Sequence, residues 1–156
     1  MDAEEERRET LLRLAGEILD AVMEGLDSMD GESKMEMMKR CGRACAEYEA
    51  WGPAVAIAGR ISEQEQDLER VIDRANDEIA WCGEWMLDGE IVTCTCEECG
   101  CPLVKNGVVK HTRVFCYCSL GWVETVFGIL LKRRVHADLE KAIGFGDDVC
   151  RYVVRI

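Results

Sequence analysis

Residues 79–96 read IAWCGEWMLDGEIVTCTC, and this stretch decides the fold because the spacing of apolar residues changes within it. Two apolar-rich segments, Ile79 to Met86 and Glu90 to Cys96, flank the pair Asp88-Gly89. Segments of this kind on either side of an Asp-Gly pair predict an antiparallel β-hairpin. We therefore expect a sheet to begin here, after a first half of different character.

The residues before the hairpin have the spacing of amphipathic helices. A second helix is expected from Ser33 to Tyr48, and Trp51-Gly-Pro53 interrupts the pattern. Ser62 with Glu65 fits a capping box that would open a further long helix. One apolar face of the first helix is formed by Leu11, Leu14, Ala15, Ile18, Val22 and Leu26.

The residues after the hairpin predict more strands and one helix. Asn106-Gly107 marks a second reversal, ahead of a strand from Val108 to Tyr117. A helix capped by Ser119 follows, and two alternating strands run through 135–139 and 150–156. We predict a single α+β domain over 1–156. Its helical half, 1–78, packs on an antiparallel sheet in 79–156, with one further C-terminal helix crossing that sheet.

Charge and hydropathy narrow the classes of partner. The net charge is −12, and residues 1–90 carry 24 acidic against 10 basic side chains. Such a surface argues against nucleic-acid binding, which needs clustered Lys and Arg. No apolar run approaches the roughly 20 residues that span a bilayer, so we expect no membrane partner. The charged N-terminus is unlike a leader, which predicts a cytoplasmic protein with reduced thiols.

The cysteines are the main chemical feature. Ten are present, and six fall within 25 residues: Cys94, Cys96, Cys99, Cys101, Cys116 and Cys118. Two cysteines in C-x-x-C spacing, as at Cys96 and Cys99, can bind one metal ion from a tight turn. A hairpin at Asn106-Gly107 would return the last pair to the first four. The sequence therefore predicts a metal site built from these six thiols.

Cys41 and Cys45 form a candidate second site. Positions i and i+4 of a helix lie one above the other, which suits two ligands of one ion. Both residues also fall on the apolar stripe of their helix, where a free cysteine is commonly part of the core. Both interpretations stay open.

Zinc is the favoured metal, and an iron–sulfur cluster is the alternative, although the spacing of bacterial ferredoxins is absent. Dithiol redox chemistry is a further alternative. His111 and Arg113 would supply positive polarity near Cys116, whereas Glu97 and Glu98 disfavour a free thiolate. A zinc-dependent enzyme also stays open, but no catalytic residue can be assigned.

The C-terminal quarter resembles a known family. Cys118-Ser-Leu-Gly-Trp122, the strand Val135 to Leu139 and Gly146-Asp-Asp-Val-Cys150-Arg-Tyr-Val-Val154 resemble the end of 4-vinyl reductase-type domains. The resemblance implies a small α+β ligand-binding module, used in sensors of aromatic compounds, some with a structural zinc beside an apolar pocket. Cys150 would correspond to the terminal sensor cysteine. The chain lacks the sensors' further cysteine in the preceding strand. It is also similar to uncharacterised cysteine-rich families of anaerobic microbes.

Together these observations favour a metal-binding domain, with zinc, that binds a small molecule or senses it. The expected partner is a small apolar ligand, and the chain could also form a homodimer.

Overall fold

Helices occupy the first half of the chain and a four-stranded antiparallel sheet lies in the second, so the predicted α+β class is confirmed. The computed structural model describes residues 3–48 and 52–156, and Trp51 of the predicted interruption lies outside them. The first half contains α1 (Ala3–Asp27), α2 (Gly31–Glu47), α3 (Ala54–Gln64) and α4 (Leu68–Glu78). The second half contains β1 (Trp85–Asp88), β2 (Ile91–Cys96), α5 (Pro102–Lys105), α6 (Arg113–Cys116), α7 (Cys118–Leu130), β3 (His136–Lys141), a 3-10 turn (Ile143–Phe145) and β4 (Cys150–Arg155).

The predicted hairpin is confirmed. β1 and β2 pair antiparallel, and Asp88 faces Ile91 across the turn. Gly89 has a φ of 61°, a left-handed conformation that glycine adopts without strain. The sheet order is β1-β2-β4-β3. β1 begins later than predicted, because Ile79 is buried at the C-terminal end of α4 instead of lying in a strand.

The strand predicted over Val108 to Tyr117 is wrong. The Asn106-Gly107 reversal is present, but it leads to α6 instead of to a strand. Thr112 caps this helix, since its hydroxyl accepts a hydrogen bond from the backbone N–H of Phe115 at 3.3 Å. The local cap outweighs the β propensity of the segment. Cys116 and Cys118 therefore lie at a junction of two helices.

The capping box at Ser62 is also wrong. Ser62 lies inside α3, where its hydroxyl donates to the carbonyl of Gly59. The residue that caps α4 is Asp67, whose carboxylate accepts from the backbone N–H of Arg70 at 3.0 Å. A carboxylate satisfies a free N–H at a helix start at least as well as a hydroxyl does.

Much of the predicted apolar face of α1 is not buried. Met23 and Leu26 near its C-terminus pack into the core with Met38, Val109, Val114 and Phe115. Farther toward the N-terminus, four side chains are between 48% and 56% exposed: Leu11, Leu14, Ile18 and Val22. The helix therefore presents an apolar stripe to solvent over residues 11–22.

The helix α7 lies at the centre of the core. It packs against α2, α3 and β3, and it buries Leu120, Val123, Val126, Phe127 and Leu130. The segment Arg113–Leu130 is long and apolar enough to cross a membrane by composition alone. In this fold the same apolarity serves the interior of the protein, because α7 is covered on several sides.

Two glycines allow α2 and α7 to cross in backbone contact. A Cβ atom at Gly42 would overlap the carbonyl oxygen of Cys118, and one at Gly121 would overlap the carbonyl oxygen of Lys39. Each helix therefore meets the other at a position without a side chain. Beside the crossing, Lys39 Nζ donates to Glu124 Oε1 at 2.7 Å, which ties the two helices with a half-buried ion pair.

We expect Gly121→Ala to lower the free energy of unfolding by about 3 kcal/mol, the upper end for an overpacked core. The added methyl group meets a backbone oxygen that cannot rotate away. Gly59→Ala is the matched control, because Gly59 also lies in a helix and a Cβ atom there would have no neighbour within 4 Å. That control should gain about 0.5–1 kcal/mol from helix propensity. Urea denaturation measures both, and equal effects would contradict the close crossing.

Candidate functional site

A cavity of about 370 Å³ lies between α2, the start of α3, the start of α7 and the segment 99–105. Seven cysteines are among its lining residues: Cys45, Cys82, Cys99, Cys101, Cys116, Cys118 and Cys150. The aromatic lining residues are Trp81, Phe115, Trp122 and Tyr152. The walls are therefore aromatic side chains and thiols, with few charged groups.

The aromatic wall is built around Trp81. Its ring stacks on Trp122 with the centroids 4.4 Å apart, and it meets Tyr152 edge to face at 5.4 Å. The loop that carries Trp81 is held by Asn76 of α4. The Asn76 side chain donates to the carbonyl of Trp85 at 2.9 Å and accepts from the Trp85 N–H at 2.8 Å. The start of β1 is thus fixed to α4, and residues 78–82 between them line the cavity.

A thiol and an imidazole meet at the cavity wall. His111 Nε2 lies 3.2 Å from Cys116 Sγ, so the expected proximity of His111 to this cysteine is found. Gly144 leaves room for the pair, since a Cβ atom there would overlap the sulfur. Burial raises the pKa of Cys116 to about 12, and a hydrogen bond with the Gly144 backbone offsets part of this. The thiol is therefore protonated near neutral pH, and the tautomer of His111 decides which of the two groups donates the hydrogen bond.

A cluster of thiols from three elements lies on another part of the wall. Cys45 comes from α2, Cys101 precedes α5 and Cys118 begins α7. Burial raises the pKa of Cys118 well above its usual value, and the thiols of Cys101 and Cys45 raise it further. Burial likewise raises the pKa of Cys101, with Cys99 and Cys45 adding to the effect. Both cysteines of the predicted second site are exposed, but only Cys45 lines the cavity, so Cys45 joins the first group and Cys41 does not.

Cys94 and Cys96 lie apart from that cluster, on β2. Strand alternation places both on one face, fully buried, with their sulfurs 3.8 Å apart. Cys96 forms a disulfide with Cys82, so it is not one of the free thiols of this structure. Cys82 was not among the residues predicted from the sequence. The hairpin register gives no signal for it, since continuing the pairing of Trp85 with Cys94 places Gly83, and not Cys82, opposite Cys96.

Within 3–48 and 52–156, no group of three or more His, Cys, Asp or Glu side chains is arranged to hold a metal ion. The six predicted ligands lie in two places, on the sheet and at the cavity wall. One reason is that the segment predicted as a strand, which would have returned Cys116 and Cys118 to the other four, forms two helices instead. Metal binding by these residues stays a prediction. Cys150, singled out by the family resemblance, lines the cavity and faces Cys96 across β2 and β4.

Comparison with known proteins places the chain by sequence. Residues 16–156 match a family of unknown function (DUF6144). The chain belongs to this family. No curated protein matches it significantly. The resemblance to 4-vinyl reductase-type domains is not confirmed by these matches.

Two solved structures are similar to the chain. The chain is similar to trafficking protein particle complex subunit 3 from Naegleria fowleri, covalently bound to palmitic acid, with a TM-score of 0.51 and 11% identity over 97% of this chain and 95% of that one. It is also similar to the phenol-responsive sensory domain of the transcription activator PoxR with phenol, with a TM-score of 0.49 and 14% identity over 88% and 72%. At such identities the likeness concerns the fold.

Proposed function

We propose that this chain binds a small apolar molecule, aromatic or aliphatic, in the cavity beside Trp81. The observation that carries the proposal is the cavity itself. Its volume of about 370 Å³ lies within the ~300–1,000 Å³ that ligand sites occupy. Its stacked indoles and uncharged thiols offer dispersion contacts, and they offer little to a hydrated ion.

The chemistry of the wall narrows the ligand class. The charged or polar side chains at the cavity are few, among them Glu78, Lys105 and His111. The buried thiols are protonated near neutral pH because burial raises their pKa. A ligand with one polar group and an apolar body fits this distribution best. A sensory role, which the resemblance of residues 118–154 implies, would follow from such binding and stays a prediction.

Ala80→Phe tests the cavity. Ala80 is exposed and lines the cavity outside any helix or strand, so a larger side chain there obstructs the cavity without entering the core. We expect the affinity for 1-naphthol to fall about tenfold, equivalent to about 1.4 kcal/mol. Isothermal titration calorimetry measures it, and Ala80→Ser is the matched control that should bind like the unmodified protein.

The same titration is repeated with palmitic acid, because the Naegleria fowleri protein of similar fold holds that molecule. The proposal is supported if either compound binds the unmodified protein, binds Ala80→Phe more weakly and binds Ala80→Ser equally well. Failure of both compounds to bind the unmodified protein, or equal binding by both variants, contradicts it.

A second candidate function is zinc binding at the thiol cluster of Cys45, Cys101 and Cys118, with Cys99 as the fourth ligand. The specific observation is that these four thiols line one cavity, where Cys101 and Cys45 add to the effect of burial in raising the pKa of Cys118, and Cys99 and Cys45 do the same for Cys101. Zinc would offset these raised pKa values, since it binds thiolates and lowers the pKa of a coordinating thiol. The side chains would have to rotate toward one another to form a tetrahedral site.

Elemental analysis of protein purified without oxygen tests the zinc candidate. We expect about one zinc per chain, lost in Cys101→Ser and Cys118→Ser together with part of the thermal stability, since metal binding contributes to folding. Cys41→Ser is the control and should keep its zinc, because Cys41 does not line the cavity. Iron with sulfide would instead support the iron–sulfur alternative, and protein without metal would contradict both.

A further inference from the structure

The disulfide between Cys82 and Cys96 lies at the wall of the cavity. Cys82 is partly exposed and lines the cavity, whereas Cys96 is fully buried on β2. Gly100 packs directly over Cys82, where a Cβ atom would lie 3.0 Å from its sulfur. A larger residue at position 100 would therefore crowd this sulfur. Of the two sulfurs, only that of Cys82 is placed to meet a molecule that enters the cavity.

We propose that Cys82–Cys96 is a redox-active disulfide that exchanges with small thiol compounds entering the cavity. The thiolate of the incoming compound attacks Cys82 Sγ, the Cys82–Cys96 bond breaks, and Cys96 leaves as a thiolate that takes up a proton. A second thiolate then attacks the sulfur of the bound compound and releases Cys82. One protein disulfide and two thiol molecules become one protein dithiol and one small disulfide, so two electrons pass to the protein.

Cys94 is the positioning residue of this exchange. Its sulfur lies 3.8 Å from Cys96 Sγ, within reach of an S–H···S hydrogen bond. Cys94 is fully buried beside Cys96, so its S–H is shielded from water and placed to donate a hydrogen bond to the leaving Cys96 thiolate. Stabilising the leaving sulfur speeds thiol–disulfide exchange.

The test measures the rate at which glutathione reduces air-oxidised protein, followed by mass spectrometry of the Cys82–Cys96 peptides. We expect Cys94→Ala to slow reduction about tenfold, as for loss of a hydrogen bond to a charged group. Cys94→Ser should recover most of the rate, because a hydroxyl can still donate. Cys41→Ser is the control and should react like the unmodified protein.

Three results would overturn the inference: no Cys82–Cys96 peptide after oxidation, a disulfide that native protein does not exchange with glutathione, or equal rates for Cys94→Ala and the unmodified protein. Circular dichroism of each variant shows whether it is folded. The inference uses the cavity only as the route to Cys82, and the readout involves no apolar ligand. Failure of 1-naphthol binding would leave it standing.

Discussion

The crossing of α2 and α7 is the contact on which the rest of the structure depends. Gly42 and Gly121 let the two backbones touch, and every neighbouring side chain takes its position from that distance. Cys45 lies one turn beyond Gly42, while Cys118 and Trp122 flank Gly121. The close contact of the two helix backbones, which builds the core, therefore also brings two thiols and an indole to one cavity. A bulkier residue at the crossing would separate the helices and open the cavity along with the core.

The chemistry of the cavity follows from burial. A thiol removed from water resists ionisation, and a neighbouring thiol that could also ionise adds to that resistance. The cysteines at the wall therefore behave as small apolar groups unless something supplies positive charge or takes a proton. A metal ion at Cys45, Cys101 and Cys118 would supply positive charge, and the His111 imidazole lies beside Cys116. The disulfide of Cys82 and Cys96 reacts differently, by attack of a thiolate at Cys82, so metal binding and thiol exchange involve different cysteines.

Prediction from the sequence succeeded where the signal was local and strong. Asp88-Gly89 between apolar segments located the hairpin, because few residue pairs tolerate that turn. It failed where two local signals competed, as at Thr112, whose capping hydroxyl turned an apparent strand into α6. That error also affected the predicted ligand set. Cys116 and Cys118 were expected to meet Cys94 and Cys96 only if the segment before them was a strand. Cys82 was missed because a bend before β1 brings it to Cys96, and neither spacing along the chain nor the strand register predicts that bend.

The sequence by itself determined the class of fold, the acidic surface of the helical half and the concentration of thiols, because periodicity, charge and composition are properties of the chain alone. Only the tertiary structure decided which thiols meet. Cys45 joins Cys101 and Cys118 across more than fifty residues, and Cys96 bonds to Cys82 instead of pairing with Cys99. It also decided that the apolar face of α1 remains in solvent. These outcomes depend on distances between elements. The packing of α7 against α2 sets those distances, and no local sequence pattern encodes them.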